Sequence, residues 1–236
     1  MSHTIKMDLL GLLLAAGLFA ASTGAQAGLQ EARNAYKNQD FAAALQELKP
    51  LVESGDPVAM FYLGLMYDNG EGVVQNYQQA IAWYRKAADK GFAPAQSNLG
   101  VVYETGGGVE RDYKEAASWY RKAAEQGDVA AQFNLGLMYY VGRGADFPRN
   151  TKEAAVWYTK AAEQGSVVAL SALGLLYENG YGVKLNYEMA HKCYTLAAEG
   201  GNELAKANKE ALEERMTPEQ MAESKALVKE WKAKHK

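Results

Sequence analysis

Cysteine and histidine are scarce in this sequence of 236 residues, which contains one Cys and three His. A single Cys excludes an intramolecular disulfide framework, so stability must come from packing. No H-x-x-x-H or C-x-x-C spacing occurs, and we therefore expect neither a metal site nor a cofactor. Cys193 is predicted to fill a small buried space. His191, two residues away on the same predicted helix, points to another face and is predicted to be solvated.

An excess of charge of one sign is also missing. The sequence has 25 Lys and Arg against 28 Asp and Glu, which gives a formal net charge of −3. Without a basic excess there is no field to hold a phosphate backbone, and nucleic acid is not an expected partner.

Catalytic motifs are absent as well. No Ser begins an S-x-x-K motif and no G-x-S-x-G occurs, so the sequence offers no recognisable machinery for serine acylation. The carboxylate pair Glu213 and Glu214 is interpreted as part of a solvated helix face. We expect no catalytic residues and no enzymatic activity.

Long apolar runs are limited to one, from Leu9 to Ala20, which is too short to span a bilayer comfortably. Lys6 precedes the run and an Ala-Gln-Ala site ending at Ala27 follows it, a pattern typical of a secretory signal peptide. We predict that residues 1–27 are cleaved and that the mature protein is periplasmic or secreted from a bacterium, without a transmembrane segment. An uncleaved anchor is the alternative.

Glycine, in contrast, is abundant and periodic. Gly55, Gly91, Gly127, Gly165 and Gly201 are separated by 36, 36, 38 and 36 residues. Between these glycines the sequence repeats A-x-x-x-L-G-x-x-Y, then a Gly-x-Gly loop, then A-x-x-W-Y-x-x-A-A. A period of this length indicates stacked copies of one supersecondary unit.

Each unit is predicted to be a helical hairpin. Ala59, Leu63 and Tyr67 lie on one stripe of a first helix, and Trp83 and Tyr84 belong to the apolar stripe of a second. The Gly-x-Gly between them supplies the positive φ that a chain reversal needs. Because one hairpin cannot bury its stripe alone, the units are expected to stack.

The combined motif resembles the Sel-one-like repeat family, a relative of the tetratricopeptide repeats. The resemblance implies an all-α fold, an α/α superhelical solenoid of helical hairpins. It places four repeats at 55–90, 91–126, 127–164 and 165–200, after a degenerate hairpin at 28–54 and before capping helices at 201–236. The third repeat departs from the motif by two extra loop residues, and the fourth has Cys193 in place of Trp.

The resemblance further implies an adaptor or scaffold of the cell envelope that binds a peptide or helix of a protein partner on a concave surface formed by the first helices. Positions that differ between repeats are free to specify that partner. The candidate binding residues are Tyr62, Asn98, Asn134, Asp68, Glu104, Tyr140 and Glu178, with Phe147 and Arg149 in the enlarged loop.

Three alternatives remain open at this level. Asn98 and Asn134 either bracket a partner's backbone or bond a neighbouring loop. The protein is alternatively a secreted factor that recognises a host protein. A hydrolase of β-lactam or cell-wall substrates, as described for cysteine-rich relatives in the family, is disfavoured by the missing motifs.

Overall fold

The computed structural model describes residues 23–235, which form twelve α-helices and no strand. The helices are α1 (Thr23–Lys37), α2 (Phe41–Glu53), α3 (Pro57–Asn69), α4 (Tyr77–Asp89), α5 (Ala93–Thr105), α6 (Tyr113–Glu125), α7 (Val129–Val141), α8 (Thr151–Glu163), α9 (Val167–Asn179), α10 (Tyr187–Glu199), α11 (Glu203–Glu213) and α12 (Pro218–Lys234). The predicted apolar signal segment lies outside the described residues. The predicted cleavage point after Ala27 falls within α1.

The helices divide into two compact units, one ending at Asp128 and the other beginning at Val129. In the first unit α1 packs on α2, α3 on α4 and α5 on α6, and each hairpin contacts the next. In the second unit α7 packs on α8 and α9 on α10, and both α11 and α12 pack on α10. This succession of helix pairs confirms the predicted solenoid of helical hairpins.

Within every repeat the two helices meet at the glycine of the Leu-Gly pair. A β-carbon added at this glycine would lie 2.5–2.7 Å from a ring carbon of a Tyr in the second helix. The four pairs are Gly64 with Tyr84, Gly100 with Tyr120, Gly136 with Tyr158, and Gly174 with Tyr194. All four Tyr side chains are almost fully buried. The repeated glycine therefore permits a helix approach that no larger residue allows.

Local signals set the helix ends. The Asp56 side chain accepts hydrogen bonds from two backbone N–H groups at the start of α3, and Asn76 caps α4 in the same way. Gly70 ends α3 in the left-handed conformation, with φ of 73°. Gly72, two residues later, would place a β-carbon 2.8 Å from the β-carbon of Phe41, so this glycine lets the loop lie against the preceding hairpin.

None of the helices within residues 23–235 combines the length and the apolar character that crossing a bilayer requires.

Candidate functional site

All three acidic candidate residues are hydrogen-bonded inside their own repeat. In three repeats the hydroxyl of the buried Tyr in the second helix donates a hydrogen bond to a carboxylate of the first helix. This carboxylate belongs to the residue that directly follows the repeated Tyr of the first helix. The pairs are Tyr84 with Asp68 (3.0 Å), Tyr120 with Glu104 (3.1 Å) and Tyr194 with Glu178 (2.9 Å). Burial, and then the bond to Glu178, raise the pKa of Tyr194 well above its usual value. These carboxylates thus provide the hydrogen-bond acceptors that the buried Tyr hydroxyls need.

Asn98 and Tyr62 also have partners within the chain. Asn98 is half-buried on α5, and its side chain offsets part of the rise in the pKa of Tyr84 that burial causes. Asn208, at the same repeat position, acts on the pKa of Tyr194 in the same way. Tyr62 is only 5% exposed and packs edge-on against Tyr36, with ring centroids 5.4 Å apart. Whether Asn98 also contacts a partner protein stays a prediction.

Asn134 lies half-buried on α7, at the repeat position of Asn98. Its role as a partner contact likewise stays a prediction.

The third repeat differs from the other three, because Tyr140 occupies the position that Asp68, Glu104 and Glu178 occupy elsewhere. The Arg149 guanidinium lies 5.1 Å from the centroid of the Tyr140 ring and 5.4 Å from that of Tyr181. The two rings are themselves 6.4 Å apart. The structure therefore brings two of the candidate residues, Tyr140 and Arg149, into one cluster with a Tyr of the next repeat.

The enlarged loop of the third repeat is folded onto its own helix. The Phe147 ring packs against that of Tyr139 at 5.0 Å between centroids. The Arg143 N–H donates to the Phe147 carbonyl at 2.6 Å, and the Asn150 N–H donates to the Tyr139 carbonyl at 2.8 Å. These bonds fix the segment that leads to Arg149.

Exposed side chains with apolar surface lie at or near Tyr140 and Tyr181 in the sequence. Tyr181 is 40% exposed, Val141 is 47% exposed and Leu185 is 51% exposed. We use the name Arg149 cluster for Tyr140, Arg149 and Tyr181. Sequence inspection selected Tyr140 and Arg149 but missed Tyr181, whose position in the Gly-x-Gly loop could have suggested exposure.

His191 is buried, so the prediction that it is solvated is wrong. Its side chain is 5% exposed, with Nδ1 2.8 Å from the Ser224 hydroxyl oxygen and Nε2 2.9 Å from a Glu213 carboxylate oxygen. Ser224 is fully buried. The repeat position of His191 could have predicted its burial, since the equivalent residues Ile81 and Ala117 are buried too.

The interpretation of Glu213 as part of a solvated helix face is therefore incomplete, because its carboxylate also binds side chains of the fold. Its side chain is 34% exposed and also pairs with Lys209 at 3.1 Å. The hydrogen bond with His191 is the largest cause that lowers the pKa of Glu213. Glu213 on α11 and Ser224 on α12 thus join both C-terminal helices to His191 on α10.

The Sel1 repeat family model matches four consecutive segments of the chain, residues 57–92, 93–128, 129–166 and 167–202. The chain belongs to the Sel1 repeat family. The matched segments begin two residues after the repeats predicted from sequence, because the family model starts at the first helix and not at the glycine before it. The prediction of the family is confirmed.

Solved structures agree with this assignment. A protective antigen of uropathogenic Escherichia coli strains that displays an SLR fold is 38% identical over 80% of this chain and 40% of its own, with a TM-score of 0.72. This chain therefore spans less than half of that antigen. A Sel1 repeat protein from Oxalobacter formigenes is 38% identical over 78% of this chain and 74% of its own, with a TM-score of 0.71.

More distant similarity extends to an immunity protein from Pseudomonas aeruginosa. It is 24% identical over 80% of this chain and 70% of its own, with a TM-score of 0.52, and the likeness concerns the fold alone. A comparison with curated proteins found no match.

The chemistry available to this Sel1 repeat protein is limited in its described part. Within residues 23–235 no three His, Cys, Asp or Glu side chains are grouped to hold a metal ion. Burial raises the pKa of the Cys193 thiol to about 12, and the side chain is 2% exposed, which confirms the buried filler predicted for it. Ser224 and His191 are hydrogen-bonded, but the buried Ser224 hydroxyl cannot reach a substrate. Sel1 repeat proteins are typically non-catalytic scaffolds that mediate protein–protein interactions.

Proposed function

We propose that the protein is an exported, non-catalytic scaffold of the bacterial cell envelope that binds another protein through its Sel1 repeats. The observation that carries this proposal is the Arg149 cluster, an arginine held against two tyrosine rings on the surface of the second unit. Arginine and tyrosine are the residue types over-represented among the energetically dominant residues of protein interfaces. Membership of a family that generally mediates protein–protein interactions supports the same conclusion.

Within this proposal we rank the candidate residues by their internal bonding. Asp68, Glu104 and Glu178 already accept hydrogen bonds from buried Tyr hydroxyls, so a partner would compete with the fold for them. Arg149 is exposed, and its contacts within the described residues are to aromatic rings. Contact residues are therefore proposed first around Arg149 and only second along the first helices.

Site-specific photocrosslinking in living cells tests this ranking. A photoreactive phenylalanine replaces Tyr181 in the full-length chain, and the matched control carries it at Val74, which is 88% exposed in the loop of the first matched repeat. We expect a defined protein adduct from position 181 and none from position 74. Adducts that are absent at 181, or identical at both positions, would contradict the proposal.

The contribution of the first helices is tested by changing both asparagines. Crosslinking of the tagged protein is repeated with Asn98→Ala and Asn134→Ala combined. Unchanged recovery of the partner in this variant would remove these two residues from the proposed surface, while loss of recovery with an unchanged circular dichroism spectrum would support it.

Export is proposed from the amino-terminal sequence pattern. Fractionation into cytoplasm, periplasm and medium, with mass spectrometry of the mature amino terminus, should find a chain that begins at Gly28. Recovery in the medium would favour a second candidate function, a secreted factor that recognises a host protein. The 38% identity to a protective antigen of uropathogenic Escherichia coli strains is the observation in favour of that candidate.

The proposed absence of catalysis is tested against the hydrolase alternative. Incubation of the purified protein with a fluorescent penicillin should leave it unlabelled, because Ser224 is buried and Cys193 stays a thiol. A stoichiometric burst of labelling would contradict the proposal.

A further inference from the structure

Arg149 differs from Arg215, another arginine of the second unit that contacts a tyrosine ring. Arg215 lies over the Tyr187 ring at 4.8 Å and donates to a Glu178 carboxylate oxygen at 2.6 Å. Its second terminal nitrogen donates to the Tyr187 hydroxyl at 2.5 Å. Arg215 is thus an arginine that rests on an aromatic ring and binds a carboxylate with its outer edge.

Arg149 also places its guanidinium against tyrosine rings, but without a carboxylate. The two ring centroids lie 5.1 and 5.4 Å from it, and Arg149 forms no ion pair with any residue in the 23–235 range. Tyr140 stands where Glu178 stands in the fourth repeat, so the carboxylate that Arg215 binds has no counterpart at this position of the third repeat.

The surrounding contacts limit the conformational freedom of Arg149. The backbone bond from Arg143 to Phe147, and the packing of Phe147 on Tyr139, fix the loop that ends at Pro148. Contact with the two rings restricts the guanidinium further. An arginine ordered before binding loses less side-chain entropy when it forms its hydrogen bonds, and its planar donors fit a carboxylate in bidentate geometry.

We propose that Arg149, which lies against Tyr140 and Tyr181, is the receptor for a carboxylate side chain in an acidic segment of the protein partner. This inference rests on the proposed function and names the chemistry of the partner. The partner's Asp or Glu takes the place that Glu178 takes on Arg215.

Binding of a defined acidic peptide to the purified full-length chain tests the inference. The probe is an acetylated and amidated hexaglutamate peptide, with the hexaglutamine peptide as its uncharged match. We expect hexaglutamate to shift the Arg149 side-chain N–H signal in a ¹⁵N-correlated NMR spectrum saturably, and hexaglutamine to leave it in place. Equal shifts with both peptides, or no shift with hexaglutamate, would overturn the inference.

Three variants define the site. Arg149→Gln should weaken hexaglutamate binding about tenfold or more, as expected for the loss of a charge-assisted hydrogen bond. Arg111→Gln is the matched control, because Arg111 has the same repeat position and lies over Tyr113 at 5.2 Å. It should bind as the unchanged protein does. A loss of the same size in both variants would show non-specific attraction of charge and overturn the proposal.

Tyr140→Glu restores the acid that the other three repeats carry. The variant should fold, since Tyr158 then has a carboxylate beside it as Tyr84, Tyr120 and Tyr194 do. Because this change removes one of the two rings and places a negative charge near Arg149, hexaglutamate binding should fall about as far as in Arg149→Gln. Retained affinity with an unchanged circular dichroism spectrum would refute the proposed receptor.

A final experiment distinguishes a protein partner from a membrane surface. It also distinguishes a failure of this inference from a failure of the proposed scaffold function. Phosphatidylglycerol vesicles that bind the chain through Arg149 when hexaglutamate does not would overturn the protein carboxylate in favour of a membrane surface. A protein adduct from position 181, combined with no response to hexaglutamate, would overturn this inference alone and leave the scaffold function standing.

Discussion

Replacement of Gly100 by Ala tests the close helix contact on which each repeat is built. A β-carbon at this position would lie 2.5 Å from Cδ1, 2.6 Å from Cε1 and 2.8 Å from Cγ of Tyr120. Ordinary contact begins near 3.4 Å, so the ring must move by about 1 Å. Tyr120 is 1% exposed and has no free space to enter without displacing its neighbours.

Opposing effects determine how much Gly100→Ala lowers the free energy of unfolding. Overpacking a buried contact costs about 1–3 kcal/mol, and displacement of the Tyr120 hydroxyl from Glu104 costs about 1 kcal/mol more. Ala gains about 1 kcal/mol over Gly in a helix interior. We therefore expect Gly100→Ala to lower the free energy of unfolding by about 1–3 kcal/mol, and Gly100→Val to lower it further.

Urea denaturation followed by circular dichroism at 222 nm, with hydrogen exchange of the α5 and α6 amides, measures this loss. Gly107→Ala is the matched control in the same repeat, because its nearest neighbour would be 3.5 Å away and its φ is not positive. It should be neutral within about 0.5 kcal/mol. A Gly100→Ala variant as stable as the control, or more stable, would refute the assigned contact.

Three further predictions concern the second unit. Ser224→Ala removes the hydrogen-bond partner of the buried His191 Nδ1 and should lower the free energy of unfolding by about 1–3 kcal/mol in urea titrations, whereas no change would mean that water replaces the hydroxyl. The hydrogen bond with His191 is the main cause that lowers the folded-state pKa of Glu213. The ionised carboxylate therefore stabilises the fold at pH values above the unfolded pKa of about 4.3. This stabilisation is lost as the pH falls through the lower folded-state pKa. The stability difference between the unchanged protein and Glu213→Gln, at most about 1 kcal/mol for a side chain one-third exposed, should vanish once the pH has fallen below the lowered folded-state pKa. A pH-independent difference would contradict the assignment. Cys193 should resist a maleimide in the folded protein and react in urea, because burial raises its thiol pKa to about 12; rapid labelling of the folded chain would contradict its burial.

Residues that share a repeat position were predictable because the period assigns them one environment. Gly64 and Gly100 stand 36 residues apart, and each contacts a Tyr ring of its own hairpin. The same register would have predicted a buried His191, had it been applied to that position. Treating His191 as an isolated residue near Cys193 led to the wrong prediction of a solvated side chain.

Pairings between variable positions were not predictable in this way. Tyr84 and Asp68 lie 16 residues apart on two helices of one hairpin, so their hydrogen bond depends on how the helices cross and not on the spacing within either. Arg149 reaches Tyr181 in the loop of the following repeat. Sequence inspection proposed Tyr140 and Arg149 separately and could not join them.

The sequence by itself determined the repeat, its helical-hairpin fold and the places where helices must approach closely, since a local pattern of apolar residues and glycines dictates each of these. Only the tertiary structure decided which variable side chains are already bonded within the fold. That distinction depends on distances between side chains of different helices. By that measure Glu178 binds Arg215 inside the molecule, whereas Arg149 contacts two aromatic rings and forms no ion pair within residues 23–235.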